Sequence, residues 1–139
     1  MFRQAFILRS SEDGRRHVCI DAVNAKRIFR FINADETRKR KFNDVVNVIV
    51  SGTRDSHIYG PESINKQTKK VTAIKMFQTG QNVRIYCKEQ RGLNGTLYIV
   101  AVELLEKKTT RKISGRAKNM ILKISRYEYQ IIESDVRLG

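Results

Sequence analysis

The stretch Thr96–Leu105, Thr-Leu-Tyr-Ile-Val-Ala-Val-Glu-Leu-Leu, is nearly continuous apolar sequence. It falls well short of the roughly 20 residues that a membrane-spanning helix needs, and it suits a central strand buried on both faces. The residues before it have period two. Val71–Phe77 and Asn82–Lys88 flank Gln78-Thr79-Gly80-Gln81, which predicts a β-hairpin with a four-residue loop. Arg91–Gly95, with its Asn94-Gly95 pair, predicts the turn that leads into the apolar strand.

The first half of the chain is mainly helical in pattern. Residues 2–9 can form a first strand, Ser11-Glu12-Asp13-Gly14 a turn, and His17–Ile20 a short second strand. Asp21 or Asn24 can cap a helix running to about Ile32, with Ile28, Phe31 and Ile32 on one stripe. Asn33 followed by Glu36 resembles a capping box for a second helix, whose stripe is Phe42, Val45, Val46 and Ile49. Gly52 stands where a helix-ending glycine belongs. Residues 53–70, with the single proline, Pro61, read as an irregular connection. A last helix is expected from about Ser114, with Ala117, Met120, Ile121 and Ile124 on its stripe, extending toward Tyr127-Glu128-Tyr129. The order of elements predicts an α+β fold: a small antiparallel or mixed sheet of 3–5 strands, two helices from the first half packed on it, and a C-terminal helix. The whole of 1–139 reads as a single domain.

Charge narrows the function. The 139 residues hold 28 Lys and Arg against 14 Asp and Glu, a formal charge of +14, which favours a polyanionic partner. Half of that excess lies in residues 105–126, where Lys107, Lys108, Arg111, Lys112, Arg116, Lys118, Lys123 and Arg126 face Glu106 alone. Arg38-Lys39-Arg40-Lys41 is a second basic block. Such runs are either solvated helix faces or an electrostatic footprint for phosphates. Aromatic residues are 8% of the chain, too few for a surface built of base-stacking rings. Two cysteines, Cys19 and Cys87, make neither a disulfide framework nor a zinc site, and two histidines, His17 and His57, support little histidine-based catalysis. No metal or cofactor is expected. The Met1–Ser10 stretch lacks the apolar core of a signal peptide, so the expected location is the cytoplasm.

The hairpin gives a geometric expectation. A four-residue loop sets Lys75 opposite Arg84 and Ala73 opposite Tyr86 on one face, with Ile74 opposite Ile85 and Met76 opposite Val83 on the other. The apolar face packs on a helix. The other presents Lys75, Arg84, Tyr86 and Lys88. A lysine directly opposite an arginine is destabilising unless a carboxylate or an anionic ligand sits nearby. Glu103, on the adjacent central strand, is a candidate carboxylate.

At these residues the chain resembles the RelE/HigB-type toxins of bacterial type II toxin–antitoxin systems. The resemblance rests on Ala73-Ile74-Lys75-Met76-Phe77, a glycine-containing turn, Val83-Arg84-Ile85-Tyr86, then the apolar strand Leu97–Leu105 running into Lys107-Lys108. It covers residues 24–51 and 71–129; residues 1–23, 53–70 and 130–139 lie outside it. Members often carry a further Lys or Arg at the position of Ala73. The resemblance implies a RelE-like fold and a toxin that cleaves mRNA in the ribosome without a metal, by attack of a 2′-hydroxyl on the adjacent phosphate. That reaction needs a proton acceptor, cations for the developing phosphate charge, and a donor for the leaving 5′-oxygen. A lysine beside other cations loses its proton more readily and can serve as the acceptor. The resemblance therefore makes Lys75 the proton acceptor or phosphate contact and Arg84 the stabiliser of charge. Tyr86 would orient the substrate, and Tyr127 or Tyr129 would supply a stacking or acid group, although ordinary burial fits each tyrosine as well. Lys107, Lys108, Arg111, Lys112, Arg116 and Lys118 would bind the RNA or ribosomal backbone, and His57 reads as incidental.

The implied partners are mRNA, the ribosome and a cognate antitoxin protein, with no membrane. Two other readings use the same basic surface: an RNA- or ribosome-binding protein without chemistry, and a ParE-like toxin that inhibits gyrase.

Overall fold

The apolar strand is central. In the computed structural model, which describes residues 2–62, 64–76, 82–107 and 115–133, Leu97–Lys107 lies fourth in a seven-stranded sheet. The elements in chain order are β1 (Phe2–Ser10), β2 (Arg16–Asp21), α1 (Ala25–Asn33), α2 (Glu36–Ser51), β3 (Tyr59–Pro61), β4 (Val71–Lys75), β5 (Asn82–Arg91), β6 (Leu97–Lys107), α3 (Gly115–Ser125) and β7 (Glu128–Ile132). Across the sheet they run β3-β4-β5-β6-β2-β1-β7. The pairs β2–β6 and β1–β7 are parallel and the rest antiparallel.

The α+β class stands, but the expectation of 3–5 strands is corrected to seven. Two strands account for the difference. The connection 53–70 contains β3, which pairs with β4 and closes that edge with Pro61, a residue that cannot donate to a further strand. The chain beyond α3 also forms a strand. The expected extension of the last helix to Tyr129 is wrong: α3 ends at Ser125, and Glu128–Ile132 pairs with β1. The Lys88 ammonium donates to the Ser125 carbonyl at the end of α3, a cation where the helix dipole favours one. From there Tyr127, Tyr129 and Ile131 alternate with exposed Glu128 and Gln130, the period of a strand.

The helices of the first half follow their stripes. Ile28, Phe31 and Ile32 of α1 and Phe42, Val45, Val46 and Ile49 of α2 bury on one face of the sheet, with Ile74, Ile85 and Ile99. The cap of α2 is Asp35, which accepts from the Thr37 N–H at 2.7 Å, rather than the expected Asn33, which ends α1. Gly52 ends α2 at φ 81°, with its N–H on the Ile49 carbonyl. The opposite face packs Ala117, Ile121 and Ile124 of α3 on Val71, Ala73, Tyr86, Val100 and Val102. The sheet is thus covered on both sides, which is why β6 is apolar on both faces.

Asp21, at the end of β2, is completely buried and gathers four segments. Its carboxylate accepts from Arg3 of β1 at 2.7 and 3.0 Å and from the Tyr129 hydroxyl of β7 at 2.7 Å. The Val23 and Asn24 N–H groups ahead of α1 donate to it at 2.8 and 3.0 Å. The capping residue of α1 is Asn24, whose side chain makes no capping bond and donates instead to the Val102 carbonyl at 2.7 Å, so Asp21 fixes the turn ahead of the helix and joins the two ends of the described chain.

Candidate nucleic-acid interface

The strand register brings the expected pair together. Lys75 lies opposite Arg84, Ala73 opposite Tyr86 and Ile74 opposite Ile85. Phe77 and the hairpin loop lie outside the described residues. Lys75 ends β4, and Arg84 lies near the start of β5, where Asn82 pairs with Lys107 at the end of β6. One end of the sheet therefore carries the backbone positions of Lys75, Arg84 and Lys107. Lys108, Arg111 and Lys112 lie outside the described residues.

The face that carries Lys75 is not the open polar face expected. α3 covers its middle, so Tyr86 is completely buried and Lys88 nearly so, while Lys75 and Arg84 are half-exposed beyond the helix. The carboxylate beside Arg84 is Glu62 rather than Glu103. Glu62 is buried and pairs with the Arg84 guanidinium, while Glu103 sits across from Tyr86 at an irregularity in the β5–β6 pairing. The Glu62 N–H donates to the Val71 carbonyl at 3.0 Å at the start of β4, while Arg84 faces Lys75 at its end, so the two side chains meet along the face of the sheet. Lys75 is held differently. Its ammonium donates to the Ser56 carbonyl at 3.2 Å, and its backbone N–H donates to the Ile58 carbonyl at 2.8 Å. The like charges are thus tolerated because each is drawn toward its own oxygen.

The two tyrosines do not complete this site. The Tyr86 hydroxyl is buried with no hydrogen-bond partner among the described residues. Burial pushes its phenol up, and the Arg84 charge partly offsets that. Tyr127 is buried beside β7, edge-on to Tyr129 at 6.1 Å, with the Arg3 guanidinium 4.4 Å over its ring. It neighbours Lys88–Arg91 at the other end of β5, which begins about 14 Å along the strand from Arg84 at ~3.4 Å per residue. Tyr129 is tied to Asp21 and pushed far above the ordinary phenol range by burial first and that hydrogen bond second.

His57 gains in interest. It is exposed and follows Ser56, whose carbonyl Lys75 grips, and its own N–H donates to Asp55 Oδ1 at 3.0 Å. The backbone on either side of it is held to β4 through the Ser56 and Ile58 carbonyls. No local sequence signal marks this, because the loop and the strand meet only in the fold. Arg116, Lys118, Lys123 and Arg126 are all exposed on or just after α3, as a basic binding surface requires. Among the described residues no cluster of His, Cys, Asp and Glu fits a metal ion, and no helix is long and apolar enough to cross a membrane. In comparisons with known proteins, no family model, curated protein or solved structure matches the chain.

Proposed function

We propose that this protein acts on RNA as the toxin of a toxin–antitoxin pair, a cytoplasmic, ribosome-dependent endoribonuclease. The reading is carried by one observation: Lys75 and Arg84 are directly opposed at the end of the sheet where β6 delivers Lys107. The α1–α2 pair, the antiparallel run β4-β5-β6 and α3 follow one another in the order that the resemblance over 24–129 implies, which supports it. In this reading Lys75 and Arg84 neutralise the phosphate undergoing attack, and His57, rather than Tyr86 or Tyr127, moves the proton. The exposed cations Arg116 and Lys118 of α3 hold the polyanion, and an acidic segment of the antitoxin neutralises the same surface.

A second reading, binding to RNA or the ribosome without cleavage, is favoured by the engagement of Arg84 with Glu62 and by the burial of both tyrosines. Mapping cuts on one transcript, with and without translating ribosomes, separates the two. Cuts that need translation and vanish in Lys75→Ala and Arg84→Ala, with RNA binding retained, support the nuclease. Folded protein that binds RNA without cutting it refutes cleavage and leaves the binding reading.

A further inference from the structure

A second candidate site lies on the opposite face of the sheet, independent of the nuclease reading. The C-terminal end of α2, the loop 52–56, β3 and the β5–β6 end of the sheet enclose a cleft of about 390 Å³. This is within the ~300–1,000 Å³ range of small-molecule sites, near its lower end. Ile49, Leu97 and Ile99 line it with apolar surface. The ring of Tyr59 is fixed there, because its hydroxyl donates to Glu89 and accepts from the Thr72 hydroxyl.

The rim is cationic. Arg16, Arg54, Lys69 and Arg91 line the cleft against Asp55 and Glu89. Glu89 is occupied by Tyr59, and Asp55 Oδ1 accepts the His57 N–H. Arg91 donates to the Gly95 carbonyl at 3.0 Å. Arg16, Arg54 and Lys69 have no ion pair among the described residues. The Arg16 guanidinium lies beside Gly52, its Nε 3.4 Å from where a Cβ there would stand.

Arg16, opposite Leu97 and beside Gly52, lies at the same end as Arg54, while Lys69 lies ahead of β4 on the other side of a mixed floor, an arrangement that matches a ligand with an anionic group at the Arg16–Arg54 end and a flat ring beside Tyr59. The geometry points to this cleft as a nucleotide-binding site, sized for a single nucleoside monophosphate, with its phosphate held by Arg16 and Arg54 and its base against Tyr59 and Ile99, beside Lys69. Burial of the base supplies apolar contact, and the guanidinium groups supply charge-assisted, two-pronged hydrogen bonds to the phosphate.

The test is calorimetric titration of the full chain with adenosine 5′-monophosphate, then with inorganic phosphate. Arg54→Ala and Lys69→Ala are the variants, since both side chains are exposed and their loss leaves the core intact. Lys26→Ala, at an exposed position of α1 outside the cleft lining, is the control for general charge. The expected result is saturable binding of one nucleotide, weakened about tenfold by Arg54→Ala and less by Lys69→Ala. The control should bind as the parent does, and inorganic phosphate should bind more weakly. Absence of saturable binding overturns the proposal. So does equal weakening by Lys26→Ala, which would mark diffuse charge attraction, or phosphate that binds as tightly as the nucleotide, which would leave the apolar part of the floor without a role. Because RNA cleavage is not read, failure here leaves the nuclease reading standing, and the converse holds.

Discussion

Replacing Asp21 with alanine removes an acceptor that five donor groups share. Three losses follow. The Arg3 guanidinium, whose side chain is 17% exposed, loses its ion pair at 2.7 Å. The Tyr129 hydroxyl, on a residue 5% exposed, is left without its acceptor. The Val23 and Asn24 N–H groups lose their bonds ahead of α1. Breaking a buried ion pair from one side costs about 3–5 kcal/mol, and a stranded buried hydroxyl about 1–3 kcal/mol. Water can reach Arg3, so the low end applies to the pair, and the terms overlap because they share one carboxylate. The expected loss is about 4 kcal/mol. For a chain of this size 1 kcal/mol corresponds to about 3–4 °C in Tm, so the midpoint should fall by about 12–16 °C. Urea unfolding followed by far-ultraviolet circular dichroism and by tyrosine fluorescence measures it. Asp21→Asn, which keeps the shape and one acceptor, should fall between the two. A loss below about 1 kcal/mol for Asp21→Ala would refute the view that this carboxylate gathers β1, β2, β7 and the start of α1.

Further outcomes follow from other contacts. Gly52→Ala puts a side chain on a backbone at φ 81°; it should cost about 1 kcal/mol in urea unfolding, and no loss would refute the glycine's role in ending α2. Glu62→Gln removes the charge that faces Arg84; RNA binding measured by fluorescence anisotropy at low salt should tighten while stability falls, and unchanged binding would mean that Glu62 does not restrain Arg84. Burial pushes the Cys19 thiol up to about 12 and the Cys87 thiol higher, so neither should react with a thiol reagent at pH 8 until the chain is unfolded. The native state holds these thiol protons after the unfolded state has begun to lose them near pH 9.0. Stability should therefore be insensitive to these groups below pH 9.0 and fall as pH rises from there toward about 12, which denaturation midpoints across that range would show.

How far the sequence could be read depended on how local each cause was. The apolar run 97–105 announced a doubly covered strand, and the stripes of α1 and α2 came out as spaced, because both are records of burial written into consecutive residues. The opposition of Lys75 and Arg84 follows from the period of the hairpin together with a four-residue loop. The end of α3 was not legible. Tyr127 continues the spacing of Ile124, so the helical stripe runs past the true stop, and the contact at that stop comes from Lys88, 37 positions earlier. β3 was hidden in a polar connection, since a three-residue edge strand has no periodicity to display. The partner of Arg84 was sought on a neighbouring strand and came from a loop. The cationic cleft was invisible for a similar reason, as Arg16, Arg54 and Lys69 belong to three separate segments.

The placement of the first hairpin has a consequence for how the chain reaches this structure. β1 and β2 are neighbours in sequence and can pair at once, yet each outer edge of that hairpin is filled from far downstream. Arg16 pairs with Leu97, 81 positions away, and Phe2 with Glu128, 126 positions away. Parallel pairings across such separations raise contact order and slow folding into the range of milliseconds to seconds. During synthesis the nascent hairpin carries two unsatisfied strand edges, a template for association with other chains, until β6 and then β7 arrive. The last described strand is in this sense a kinetic seal. Cutting the chain before Glu128 should leave a protein that retains its helices and aggregates through β1.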